Sequence, residues 1–297
     1  MPSLRRIWAC TVLALFASAA SAAHAAALPT YDAIYVFGDS YCDVGNIYAA
    51  TDGLYPPAPY YKGRFSNGPI WIDHLAGATG LTVAPSEKGG TDFAFGGAWA
   101  TAPQVTVEGT IPDVPGQVTL YLAKHDGKAD PKALYIIEGG GNDILGGLNG
   151  SLGTAAELGH AIATSLSDAE MALRRAGARN FLIPDLFNVG LLPKASANRT
   201  FAGAATTATN TDLTEMLEPE TLLAGVKIQR LDVFTFMNAV KKDATHFGFT
   251  NITTPCLNLT ALTECSDPDH TFFWDDEHPT EFGHAFFAVG VVTALSQ

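Results

Sequence analysis

The sequence predicts an α/β protein with a parallel sheet covered by helices on both faces, on three observations. Short, wholly apolar runs of strand length alternate with longer segments of helical periodicity, as strands buried on both faces require. Several of those runs break into glycine-rich or polar turns. No internal repeat, charge run or Pro/Ser linker divides the chain.

Ala33–Phe37 is the first strand and ends in the turn Gly38-Asp39-Ser40. Pro69–Ala78 follows as a helix, with proline in its first turn and Gly80 beyond its end. Asp92–Phe95 reads as a second strand ending on Gly96-Gly97, and Ala133–Glu138 as a third ending on Gly139-Gly140-Gly141. Ala155–Ala176 is a long helix closed by Gly177. Arg179–Pro184 and Val226–Val233 are the fourth and fifth strands, the latter set between helices at about 206–217 and 234–244. Glu281–Leu295 is the final helix. Ligands of such sheets sit beyond the carboxyl ends of the strands, so the turns at Ser40, Gly96-Gly97 and Gly140–Asp143 are expected side by side.

Residues 1–25 carry Arg5 and Arg6, then a short apolar stretch, then small residues, the pattern of a secretory leader. Ala20-Ser21-Ala22 and Ala23-His24-Ala25 are both suitable cleavage sites. The remaining residues, 26–297, are long enough for one domain with a large core. The formal net charge is −13, and loss of the leader makes it more negative still. Such a body argues against nucleic acid or anionic lipid as the main partner, and no later run is long and apolar enough for stable membrane insertion. Secretion or a periplasmic location follows. In that setting Cys256 and Cys265, which flank a short polar loop, are expected to pair, leaving Cys42 as a buried, inert thiol. Sequons stand at Asn149, Asn198, Asn251 and Asn258 and matter only in a host that glycosylates.

A serine after a strand usually caps or closes a turn; Ser40 stands out by its company. Trp274-Asp275-Asp276-Glu277-His278-Pro279-Thr280 lies near the other end of the chain. A serine hydroxyl needs a base, and a base histidine needs a carboxylate to hold its tautomer. Asp275 lies three positions ahead of His278, so one tight turn can present both. An oxyanion needs donors: the Gly96-Gly97 turn offers an unobstructed backbone N–H and Asn142 a side-chain amide.

Phe37-Gly38-Asp39-Ser40-Tyr41-Cys42-Asp43-Val44-Gly45-Asn46 resembles the first block of the GDSL, or SGNH, hydrolases. Asp92–Ala98 resembles their second block, Gly140–Asp143 their third and Asp275–Thr280 their last, in family order across the mature chain. Arg64–Pro69 and Phe247–Asn251 are similar to stretches of the secreted lipase and esterase members. The resemblance implies a flavodoxin-like three-layer α/β/α sandwich and hydrolysis of small-molecule, lipid or acylated-glycan esters, with no cofactor. It also implies Ser40 as nucleophile, His278 as base and Asp275 as its acid, with the Ser40 and Gly97 amides and the Asn142 side chain as oxyanion donors. Gly97 is taken over Gly96 because it aligns with the second-block glycine. Tyr41 stands in place of the motif's leucine, a change expected to alter packing alone, and Asp92 in place of a frequent asparagine. Asp39 and Asp143 read as turn-forming residues that position their neighbours.

Alternatives remain. The Ser40 context lacks the second glycine of G-x-S-x-G, which argues against an α/β-hydrolase nucleophile elbow. A metal hydrolase using Asp275, Asp276, Glu277 and His278, with His270 nearby, lacks the spaced histidines of a zinc helix. Acyl transfer, phospholipase action and a non-catalytic glycan- or lipid-binding role stay open. Tyr48, Tyr55, Tyr60, Tyr61, Phe65 and Trp71 are candidates for an acyl or sugar groove.

Overall fold

The computed structural model describes residues 28–106 and 109–297; the expected leader lies outside them. In chain order the elements begin with β1 (Ile34–Phe37), α1 (Asn46–Ala50) and α2 (Trp71–Thr79). The hairpin β2 (Gln104–Thr106) and β3 (Gly109–Ile111) follows, then α3 (Val114–Lys124), β4 (Leu134–Ile137), α4 (Gly141–Gly146) and α5 (Ala155–Ala176). Next come β5 (Asn180–Leu182), α6 (Arg199–Thr221), β6 (Lys227–Gln229) and α7 (Val233–Lys242). A small hairpin, β7 (Leu257–Asn258) with β8 (Thr263–Glu264), precedes α8 (Glu281–Leu295).

The central sheet is parallel, in the order β1-β4-β5-β6. Its apolar runs are buried because both faces are covered: α5 packs on α3 and α6, while α2 packs on α8. Expected and observed elements agree at β1, α2, β4, α5, β5 and α8 to within a few residues.

Three segments differ from expectation, each for a local reason. Residues 92–95 form no regular strand. They run along the free edge of β1, with Phe93 N–H on the Val36 carbonyl at 2.7 Å and Phe95 N–H on the Gly38 carbonyl at 3.1 Å. On the outer side Asp92 makes only an isolated bridge at Pro85, with Ser86 N–H on the Asp92 carbonyl at 2.7 Å and Asp92 N–H on the Ala84 carbonyl at 2.9 Å, and the Asn46 amide caps the carbonyls of Asp92 (2.8 Å) and Ala94 (2.7 Å). The fifth strand stops at Gln229, because Asp232 caps α7 by accepting from the Thr235 N–H. The helix expected at 206–217 starts earlier, at Arg199, where Asn198 accepts from the Phe201 N–H. Helix α3, unassigned from sequence, carries its own start signal: Asp113 accepts from the Gly116 N–H, and Pro115 sits in the first turn.

Cys256 and Cys265 are joined by a disulfide, and Cys42 is a buried free thiol whose pKa burial pushes well up. Among the described residues no helix is long and apolar enough to cross a membrane.

Helix α5 begins with a Thr154/Glu157 capping box and ends at Gly177 in a positive-φ conformation. Its Gly159 faces α6 so closely that an added Cβ would sit 2.6 Å from the Ala208 Cβ and 2.8 Å from the Ala205 carbonyl oxygen. Backbone cannot yield there as a flexible side chain would. Gly159→Ala is therefore expected to destabilise the fold by about 1–3 kcal/mol despite alanine's better helix propensity. Urea denaturation of the variant measures this; a gain in stability contradicts the close approach.

Candidate active site

Ser40, Gly97, Asn142, Asp275 and His278 come from three sheet-edge turns and one distant loop. The nucleophile-type turn follows β1. Its Gly38 is gripped by Gln117 of α3, which accepts from the Gly38 N–H and donates to the Gly38 carbonyl, both at 2.8 Å. Asp39 then accepts from the Tyr41 N–H at 3.0 Å, leaving Ser40 at the tip.

Asp43, fully buried, gathers the backbone around it. Its carboxylate accepts from the N–H groups of Gly45, Asn46 and Ile47, and across the site from Gly96 at 2.8 Å. Asp92, also buried, accepts from Val44 (2.7 Å) and Ala94 (2.9 Å). The first and second sequence blocks are thus stitched together by two carboxylates. Gly96 N–H is spent on Asp43. The N–H groups of Gly97 and Ser40 have no hydrogen-bond partner among the described residues, and Gly97, at φ 79°, is exposed. Asn142 opens α4, donating its amide to the Ala98 carbonyl at 3.0 Å and reaching Asp39 Oδ2 at 3.4 Å. Asp143 fixes the same segment by accepting from the Ala100 and Thr101 N–H groups and the Thr101 hydroxyl.

The loop 274–280 is closed by Trp274 N–H on the His278 carbonyl at 2.7 Å. Within it Asp275 Oδ1 accepts from the Glu277 and His278 N–H groups at 2.8 and 2.7 Å. His278 Nδ1 lies 2.7 Å from Asp275 Oδ2 and 2.9 Å from Oδ1, and His278 Nε2 lies 2.7 Å from Ser40 Oγ. All three side chains are buried. Burial pushes the Asp275 pKa up, but the His278 charge and the hydrogen bonds it receives outweigh this and hold it at about 2. For His278, burial pushes down; the charge and hydrogen bond of Asp275 prevail and raise it to about 8.

Other residues depart from their expected roles. Tyr41 does more than pack: its hydroxyl donates to the Glu277 carbonyl at 2.6 Å, tying the Ser40 turn to the histidine loop. Of the candidate groove aromatics, Tyr55 and Phe65 line the cavity in front of Ser40, whereas Trp71 is core and Tyr60 donates to Asp275. Trp99, not singled out from sequence, lines the cavity with Ile47, Phe95, Ile111 and Leu145. That cavity is about 610 Å³ and mainly apolar, and Ser40, His278, Gly97 and Asn142 all open onto it. Among the described residues no cluster of three or more His, Cys, Asp or Glu side chains is arranged to hold a metal; His270 pairs with Asp267 instead.

One family model matches the stretch of sequence that carries these blocks. The GDSL-like lipase/acylhydrolase family model matches residues 34–291. The chain belongs to this family. It is 35% identical over 189 residues to Lipase 1 of Photorhabdus luminescens, covering 63% of this chain and 26% of that one. It is 32% identical over 203 residues to a phosphatidylcholine-sterol acyltransferase of Aeromonas hydrophila, covering 67% and 56%. A GDSL esterase/lipase of Arabidopsis thaliana is 26% identical, with 86% and 84% covered. The chain thus spans about a quarter and a little over half of the first two relatives.

Removal of the Asp43 carboxylate strands the buried N–H groups of Gly45, Asn46 and Gly96 and the half-buried one of Ile47. Asp43→Ala is expected to cost about 3 kcal/mol or more, and Asp43→Asn, which keeps one acceptor oxygen, less. Thermal unfolding of the two variants gives the ranking; equal stability of Asp43→Ala and the parent would refute the stitch.

Proposed function

We propose that this chain hydrolyses carboxylic esters through an acyl-enzyme on Ser40. The observation that carries the reading is the unbroken hydrogen-bonded line Asp275–His278–Ser40, ending at an apolar cavity beside unspent N–H donors. His278 Nε2 accepts the Ser40 proton as Oγ attacks the ester carbonyl, and Asp275 stabilises the imidazolium. The developing oxyanion is met by the Ser40 and Gly97 N–H groups, with the Asn142 amide exchanging its long contact to Asp39 for the oxyanion. Gly97 suits this role over Gly96, whose N–H is committed to Asp43. His278 then protonates the leaving alcohol, and water activated by the same nitrogen releases the acid.

The apolar lining supports an acyl chain as the part of the substrate held beside Ser40. A second outcome of the same acyl-enzyme is transfer to an alcohol, kept in view by the acyltransferase relative. Export is proposed from the leader pattern, and the Cys256–Cys265 disulfide supports an oxidising compartment.

The test is a series of p-nitrophenyl esters of increasing chain length, with and without added alcohol. Ser40→Ala is expected to lose on the order of 10³-fold or more in kcat and to escape labelling by a fluorophosphonate. Undiminished turnover in that variant would sink the assignment of the nucleophile.

A pH profile gives a second prediction. His278 must be neutral to act, and its pKa is raised above the ordinary 6.5 to about 8. The base is therefore protonated below that pH, and kcat/KM is expected to rise with pH through about 8. An acid limb below pH 6 would contradict the coupling of His278 to Asp275.

A further inference from the structure

Resting on the triad reading above, we propose that Tyr60 is a positioning residue for the reaction, its hydroxyl fixing the Asp275 carboxylate against the His278 imidazole. The Tyr60 hydroxyl donates to Asp275 Oδ2 at 2.6 Å, across 215 residues of sequence. This is the only side-chain donor to Asp275 besides His278 among the described residues.

The geometry makes the contact selective. Oδ1 is occupied by two backbone N–H groups of its own loop, and Oδ2 is the oxygen nearer His278 Nδ1. The phenol therefore acts on the carboxylate oxygen that faces the base. Rotation of the carboxyl group away from the imidazole would break the Tyr60 bond, so the bond resists that rotation. A hydrogen bond from a neutral donor to a buried carboxylate is strong, and it also draws off part of the charge that Asp275 presents to His278.

The phenol is itself held. Its ring meets Trp274 edge-on, with centroids 6.2 Å apart at 87°, and Phe65 at 6.2 Å and 68°. Trp274 forms a separate small core with Cys256 and Leu257, against which Tyr60 and Cys265 pack. The disulfide-closed hairpin β7–β8 thus supports the platform on which Tyr60 rests. The Tyr60 backbone is turned by its N–H to the Pro57 carbonyl at 3.0 Å, and its neighbour Tyr61 is anchored on the Ser66 carbonyl.

Other ionisable groups face the pair. Asp39 and Tyr41 come from the nucleophile turn, Asp276 and Glu277 from the same loop, and Lys194 from the turn 193–197. His284 comes from α8, and Tyr55 lies beside Tyr60. None of these has a side-chain hydrogen bond to Asp275 among the described residues.

Removing the hydroxyl while keeping the ring separates positioning from packing. In Tyr60→Phe, Asp275 loses one donor and holds the imidazolium more tightly, so His278 gives up its proton less readily. The acid limb of kcat/KM is expected to move to higher pH by about half a unit to one unit. Activity then falls several-fold near neutrality and recovers toward the parent's level well above the limb. The same shift is read without turnover from the NMR titration of the His278 ring, its signal assigned by loss in His278→Asn. That arm stands even if Ser40→Ala shows the esterase reading to be wrong. An unmoved limb together with an unmoved imidazole titration in Tyr60→Phe overturns the proposal, as does a uniform loss of rate at every pH.

Discussion

A buried carboxylate with no cationic partner is costly unless backbone donors surround it, and Asp43 has been given four of them. That requirement is the constraint on which the site rests. Three donors come from the start of α1, just after the Ser40 turn, and the fourth comes from Gly96, which follows the edge of the sheet. The two turns cannot separate without exposing or stranding the charge. Asp92 repeats the device in the opposite direction, taking the Val44 N–H from the nucleophile side. Burial raises the pKa of both acids, Asp92 well above the ordinary carboxylate range, with the Asp43 charge adding to it. The backbone donors to Asp43 favour its charged form.

A second buried pair of acids, Asp39 and Glu138, lies at the Ser40 turn. Burial pushes Asp39 up to about 6 and Glu138 well above its ordinary value, and the Asp39 charge raises Glu138 further. Glu138 also receives the Cys42 thiol at 3.6 Å. The floor beneath Ser40 is thus built of acids held by their neighbours, while the wall before it is apolar. Polar groups there are directed by hydrogen bonds, and the charged lining residues Lys194 and Glu277 are paired with each other.

Much of the layout was legible in the sequence because its cues are local. Apolar runs of four or five residues ending in glycine or aspartate marked β1, β4 and β5, and the capping box with its terminal glycine marked α5. The residues of the candidate site were likewise legible as four blocks. What stayed hidden depends on contacts far apart in the chain. Residues 92–95 have strand composition, yet beyond a single bridge at Pro85 their outer edge is taken by the Asn46 side chain. The Tyr41 hydroxyl meets the Glu277 carbonyl across 236 residues, so its departure from leucine looked like a packing change. Gly96 and Gly97 are equivalent in composition; only the Asp43 contact tells the spent N–H from the free one. Helix α3 was readable in principle from Asp113 and Pro115.

Acid and base share a loop three residues apart, whereas the hydroxyl they address lies 238 residues earlier. Only one long-range closure therefore has to be made to complete the line. During synthesis Ser40 and its Asp43-bound turn emerge first, and the residues that would activate the hydroxyl are among the last. On this reading the nascent chain carries an ordinary serine until loop 274–280 docks, supported by the packing of α8 on α2. Reactivity then appears with the closing of the fold, and a chain interrupted before residue 275 would carry the hydroxyl without its base.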